Sequence, residues 1–207
     1  IPFPGRGGAG AGEADGTLYY LGGYNPTSDA GDGNGSIFAY AGADAGWNRL
    51  AEMPLPAGWE TSADVGVDGK IYVFGGEGDE TDDAGTSIGS GPNSRTAIFD
   101  PVGGSWSFGA PMPARREQHR VLRGSDGLFY VIGGQDENGN SLNTVFVYHP
   151  TTNSWTTGPS IPVALDDDAG DAGVLGINSF AAAASPDRTV LVVAGGSTDY
   201  GNDNPPY

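Results

Sequence analysis

Four short apolar runs recur along the chain, each closed by a glycine pair: LYYLGG at 18–23, IYVFGG at 71–76, FYVIGG at 129–134 and VLVVAGG at 190–196. Runs this short suit strands covered on both faces better than helices. Their first glycines, Gly22, Gly75, Gly133 and Gly195, are 53, 58 and 62 residues apart (75−22, 133−75, 195−133). Three of the runs are followed by a second pattern: an aromatic, a tryptophan seven residues later, and a proline seven beyond that. These sets are Tyr40, Trp47 and Pro54; Phe99, Trp106 and Pro113; and Tyr148, Trp155 and Pro162. Self-similarity at a period of fifty to sixty residues indicates a repeat architecture.

The segment 52–106 shows one whole unit. MPLP at 53–56 opens it and cannot be helical. A strand is predicted over about 61–67, and Asp68-Gly69 reads as a two-residue hairpin turn into IYVF. Residues 77–95 read as a variable loop. TAIFD at 96–100 forms a third strand, 101–104 a turn, and SWSF at 105–108 the fourth and outermost strand. Asp15-Gly16 and Asp126-Gly127 repeat the hairpin turn in the neighbouring units. Four antiparallel strands per unit make a propeller blade. The short third turn keeps the aromatic and the Trp in constant register, so both pack between neighbouring blades. The pairs Gly22 and Gly23, Gly75 and Gly76, Gly133 and Gly134, and Gly195 and Gly196 let backbones approach where a Cβ would intrude.

The fold class expected is all-β: a β-propeller of four-stranded antiparallel blades, three complete and a partial fourth. One partial propeller domain spans 1–207, with blades at about 1–52, 53–111, 112–160 and 161–207, the last lacking its outer strands. The chain opens on IPFP, without Met, and this matches MPLP at 53–56. The expectation is a processed chain or a segment of something longer. Open blade faces invite association, so closure is expected from further polypeptide, a second chain or neighbouring copies.

These residues resemble the kelch-repeat family, whose pattern is a double glycine after an apolar strand, then a Tyr, a Trp and a Met-Pro step. Here it stands as Gly75, Gly76, Phe99, Trp106, Met112 and Pro113, and again as Gly133, Gly134, Tyr148 and Trp155. Arg116 and His119 match the family's Arg and His at the start of the innermost strand. The second unit departs there, with Ala57 and Glu60, and His149 stands where the family usually has Asp. The resemblance implies a kelch-type propeller that commonly binds partners through one loop face. Copper radical oxidases share this fold, but their Tyr–Cys cross-link has no counterpart in a segment without Cys.

Charge narrows the partners. The chain carries 26 Asp plus Glu against 9 Lys plus Arg, a formal net charge of −17. That disfavours nucleic acid, whose phosphates need a basic surface, and favours cations or basic partners. No apolar run approaches the ~20 residues of a membrane span. Gly and Pro make up about a quarter of the chain ((37+15)/207), but they punctuate strand-like runs, which favours a turn-rich β protein over disorder.

The acidic loops hold Asp79, Asp82 and Asp83, and Asp166, Asp167 and Asp168. Such loops could offer oxygens to Ca²⁺, but none follows the EF-hand spacing, so no metal or other cofactor is expected. His119 is expected to be structural. Arg115, Arg116, Arg120 and Arg123 cluster within nine residues and could grip an acidic ligand such as a carboxylated sugar. Asn34 begins the one permitted Asn-x-Ser/Thr sequon and is a candidate glycosylation site.

No convergent nucleophile, base or metal set is visible. The expected function is therefore a non-enzymatic protein-interaction or structural module, extracellular or at the cell surface, working within a larger propeller or assembly. The alternative is a carbohydrate-binding protein or carbohydrate-active enzyme, like the sugar mutarotases and oxidases built on this propeller.

Overall fold

A computed structural model describes residues 10–14, 16–22, 37–42, 44, 46–50, 60–81, 87–162 and 176–196. The first sheet contains β1 (Gly10–Ala14), β2 (Thr17–Leu21), β3 (Ile37–Tyr40) and β4 (Trp47–Arg49) in that order. The second holds β5 (Ser62–Val65) and β6 (Ile71–Phe74), then β9 (Thr96–Asp100) and β10 (Ser105–Phe108). Between them runs a separate hairpin, β7 (Glu77–Thr81) and β8 (Ser87–Pro92). The third sheet is β11 (Arg120–Arg123), β12 (Phe129–Ile132), β13 (Val145–His149) and β14 (Ser154–Thr157). β15 (Ala181–Ala184) and β16 (Leu191–Ala194) form a two-stranded sheet. All pairings are antiparallel, so the expected partial propeller is the observed architecture.

The seven-residue spacing has a direct cause. Tyr40 pairs with Trp47, Phe99 with Trp106 and Tyr148 with Trp155 across the third turn of each unit. Their ring centroids lie 5.2, 5.0 and 5.0 Å apart. The second and third pairs then pack toward the preceding sheet. Trp155 meets Phe74 edge-on at 5.5 Å, and its Nε1–H donates to the Ala110 carbonyl at 2.9 Å. Three apolar clusters result, one at each seam between successive sheets. Leu21, Ile37 and Phe99 mark the first; Phe74, Phe129 and Tyr148 the second; Ile132, Val145 and Phe180 the third. Beyond the last seam, Val190 and Val192 are exposed.

Two of the glycine pairs stand at close backbone approaches. Gly75 and Gly76 have φ of +52° and +97°, and a Cβ on Gly75 would come within 2.5 Å of the Arg116 carbonyl of the next unit. Gly133 repeats this against the Ile177 carbonyl at 2.6 Å. The glycine-pair corner is thus the point where one sheet hands the chain's backbone to its neighbour.

Three sequence expectations are corrected. The region 77–95 is largely the hairpin β7–β8 rather than a loop. The strand predicted over 61–67 is shorter, because the turn already begins at Gly66. Its N–H donates to the Lys70 carbonyl, and Gly69, with φ +76°, donates back to Gly66. Asp68-Gly69 therefore belongs to a three-residue loop, a type I turn followed by a left-handed glycine. Asp126-Gly127 does the same between Gly124 and Leu128. In the first hairpin Ala14 pairs with Thr17.

The third correction concerns register between units. β5 begins eight residues after Pro54 and β11 seven after Pro113 (62−54, 120−113). The extra residue makes Glu60 the counterpart of Gln118, not of His119, and Thr61 the counterpart of His119; Ala57 lies outside the described residues. Positive φ confirms it: Glu60 (63°), Gln118 (53°) and Ser179 (51°) share one strained conformation.

Candidate functional site at the channel mouth

The first strands of successive sheets lie side by side, β1 with β5, β5 with β11, and β11 with β15. Sequence specifies this contact through side chains that bond neighbouring backbone. Ser62 Oγ accepts from the Val121 N–H at 2.9 Å, and Asp64 Oδ2 from the Arg123 N–H at 2.7 Å. The strands β5, β11 and β15 line an open-sided cavity of about 740 Å³.

The residue two before each strand stands at the mouth. Glu60, Gln118 and Ser179 all hold the left-handed backbone, which costs a non-glycine residue ~1 kcal/mol or more. Their side chains are linked. Ser179 Oγ–H donates to Gln118 Oε1 at 2.6 Å, and the Gln118 side chain hydrogen-bonds Glu60. Arg120, half-buried one turn inward, donates to the His119 carbonyl at 2.9 Å and lies over the Phe180 ring at 5.8 Å. At the opposite end, Arg188 pairs with Asp64 at 2.7 Å and donates to the Arg123 carbonyl at 3.1 Å. The cavity thus has a polar mouth and an ion-paired floor.

Three carboxylates from three segments converge beside the mouth. Glu60, Glu77 and Glu117 offer oxygens that all lie within 4.8 Å of one another. Burial, then the charges of Glu77 and Glu60, push the Glu117 carboxyl up to about 7. Burial also raises Glu60, against the opposing effects of Gln118 and Arg120, and raises Glu77 with help from Glu60. Like charges this close hold a proton near neutral pH.

The arginine cluster does not act as one unit. Arg116 is 1% exposed, and its guanidinium donates to the carbonyls of Gly133 and Thr144 and to Thr144 Oγ1. It also covers the Phe146 ring at 4.1 Å. It fastens the third sheet together, and the ligand-gripping expectation does not extend to it. Arg115 is exposed, Arg120 lines the cavity, and Arg123 donates through Nε to the Val65 carbonyl at 2.7 Å. His119 is fully enclosed. Burial first, then Arg116 and Arg120, push its pKa down to about 3, so it is a neutral structural ring. His149 contacts Thr156 Oγ1 through Nε2 at 2.9 Å, away from the channel. Asp79 lies on β7, with its side chain outside the described residues. Gly23, Asn34, Asp82, Asp83, Asp166, Asp167 and Asp168 also lie outside them.

Sequence reasoning missed Glu60, Glu77 and Glu117 as a group. Glu77 directly follows a glycine pair, a signal that was readable. The convergence with Glu60 and Glu117 depends on the packing of two blades and was not.

The family model described as Kelch motif matches residues 123–162. Kelch repeat and BTB domain-containing protein 12 of Danio rerio is 25% identical over 171 residues, covering 76% of this chain and 26% of that protein. Beta-scruin of Limulus polyphemus is 30% identical over 130 residues, covering 63% and 14%. Kelch domain-containing protein 7A of Mus musculus is 27% identical over 131 residues, covering 63% and 15%. The chain therefore spans about a quarter or less of these relatives. A solved structure titled "Structure of YjhT" superposes with a TM-score of 0.69 at 20% identity, covering 95% of this chain and 60% of that one. Together with the glycine-pair corners and the aromatic–Trp pairs, these place the chain among the kelch-repeat proteins. No helix among the described residues is long and apolar enough to cross a membrane.

Proposed function

We propose that the chain is a non-enzymatic protein-interaction module whose contact face is the channel mouth and the loops around it. The observation that carries this is the division of labour among polar residues. Arg116 and His119, the polar positions shared with the family pattern, are spent inside the frame. Glu60, Glu77 and Glu117 instead gather at the mouth. A partner with a basic contact surface suits that face and the net charge of −17. Exposed Val190 and Val192 support packing within a larger propeller or assembly. An extracellular or cell-surface setting belongs to the same proposal and is supported by the acid excess. Intact mass before and after deglycosylation of the source protein tests it, with Asn34 the first site to inspect.

The test of the contact face is capture from the native source extract by the wild-type chain and by an E60Q/E77Q/E117Q variant. A partner retained by the first, released by salt and lost by the second supports the reading. Equal capture by both removes the mouth from it. The carbohydrate alternative now leans on Arg120 and the cavity rather than on an arginine cluster, and a glycan array probes it in parallel.

A further inference from the structure

We propose that the channel cavity binds a small zwitterion of the amino-acid type, its ammonium at Glu60 and its carboxylate at the Arg120 guanidinium. This goes beyond the interaction face and stands independently of it. The cavity, about 740 Å³, lies within the ~300–1,000 Å³ common for small-molecule sites. Glu60 and Arg120 both line it. They attract one another through space, yet no direct ion pair joins them.

Each is fixed from behind by the protein. Glu60 is bonded by Gln118, which is 9% exposed and itself anchored by Ser179. Arg120 gives one N–H to the His119 carbonyl and rests over Phe180. Among the described residues, its other donors meet no protein acceptor. The planar fork of a guanidinium suits a carboxylate bidentately. The floor does not compete, because Asp64 and Arg188 already satisfy one another at 2.7 Å.

The two preset charges select the ligand class. A simple anion would answer Arg120 and leave Glu60 half-buried without a cation, and a simple amine would do the reverse. Leaving either of these half-buried charges unpaired is costly. A ligand carrying both charges satisfies both groups. Glu77 and Glu117, whose oxygens lie within 4.8 Å of those of Glu60, set the direction by keeping the ammonium on that side. A free amino acid and a short peptide share this chemistry.

Calorimetric titration of the 207-residue chain tests it, with L-alanine, trialanine, acetate and methylamine as probes. Saturable binding of alanine or trialanine is expected, at least ~10-fold tighter than acetate or methylamine. The tighter of the first two identifies the source as a free amino acid or a peptide. E60Q and R120K should each weaken binding at least ~10-fold. Acetate binding as tightly as alanine overturns the proposal, as does the absence of saturable heat with either zwitterion. Both readings use the wild-type chain and need no variant to fold. Undiminished binding by folded E60Q or R120K also overturns it.

Discussion

Arg188 reaches 2.7 Å to the Asp64 carboxylate, joining the hairpin of the fourth sheet to the first strand of the second. The two residues are 124 positions apart, and the third sheet lies between them in the chain. Arg188 holds φ +57° at the place where the other hairpins have Gly69 and Gly127. A glycine's conformational freedom has been exchanged there for a guanidinium that spans the channel floor.

The two ends of this pair should not be equivalent. Asp64 also accepts from the N–H groups of Arg123 and Val65, so D64A orphans two backbone donors as well as Arg188. A loss of about 2–3 kcal/mol is expected. R188A leaves Asp64 with its backbone donors, and Arg188 is 29% exposed, so the loss should be about 1 kcal/mol. Urea denaturation of both variants checks the order.

Glu117 makes stability fall as pH rises. Its folded pKa of about 7 lies above the ordinary 4.5, so between those values the folded state binds more protons than the unfolded one. Its contribution is complete below about 4.5 and is lost as pH climbs through 7. Allowing for partial solvent screening, the loss is about 1–2 kcal/mol. E117Q should remove this slope, so that the variant gains on the wild type between pH 5 and pH 8 in denaturation curves. An unchanged slope would mean that the three carboxylates do not share a proton.

Glycines at turns and at corners should respond differently to alanine. A Cβ on Gly69 meets nothing within 4 Å, so G69A pays only for its left-handed backbone, about 1 kcal/mol. G75A adds contact with the Arg116 carbonyl at 2.5 Å, backbone that cannot move aside without shifting the next sheet. A loss of about 3 kcal/mol or more is expected, read as a lower thermal midpoint.

Arg116 should behave as frame and not as ligand contact. R116A removes three hydrogen bonds and the cover on Phe146, a loss of about 3–5 kcal/mol. R116K keeps the charge but not the planar fork and should recover only part. A folded R116K chain should bind every cavity probe as the wild type does, in contrast to R120K.

The blade pattern was legible because it is local. TAIFD and SWSF are strands at the predicted residues, since a short turn and one cross-strand aromatic pair fix them within thirteen positions. The hairpin β7–β8 was not legible, because its residues carry no apolar alternation to distinguish them from a loop. Arg116 and Arg120 looked alike in sequence, four positions apart. Only the packing of Phe146 and the carbonyls of Gly133 and Thr144 turns one inward, while the other enters the channel.

The sequence by itself determined the repeat, the strand order within each blade and the family, because spacing, turn residues and glycine corners act over a few residues at a time. The tertiary structure decided the site. Glu60, Glu77 and Glu117 come together only when one blade's glycine corner packs on the next. Glu60 and Gln118 align only once the extra residue after Pro54 is placed. Asp64 finds Arg188 only across a channel that three sheets must build. Those contacts depend on distances between elements, and no linear pattern encodes them.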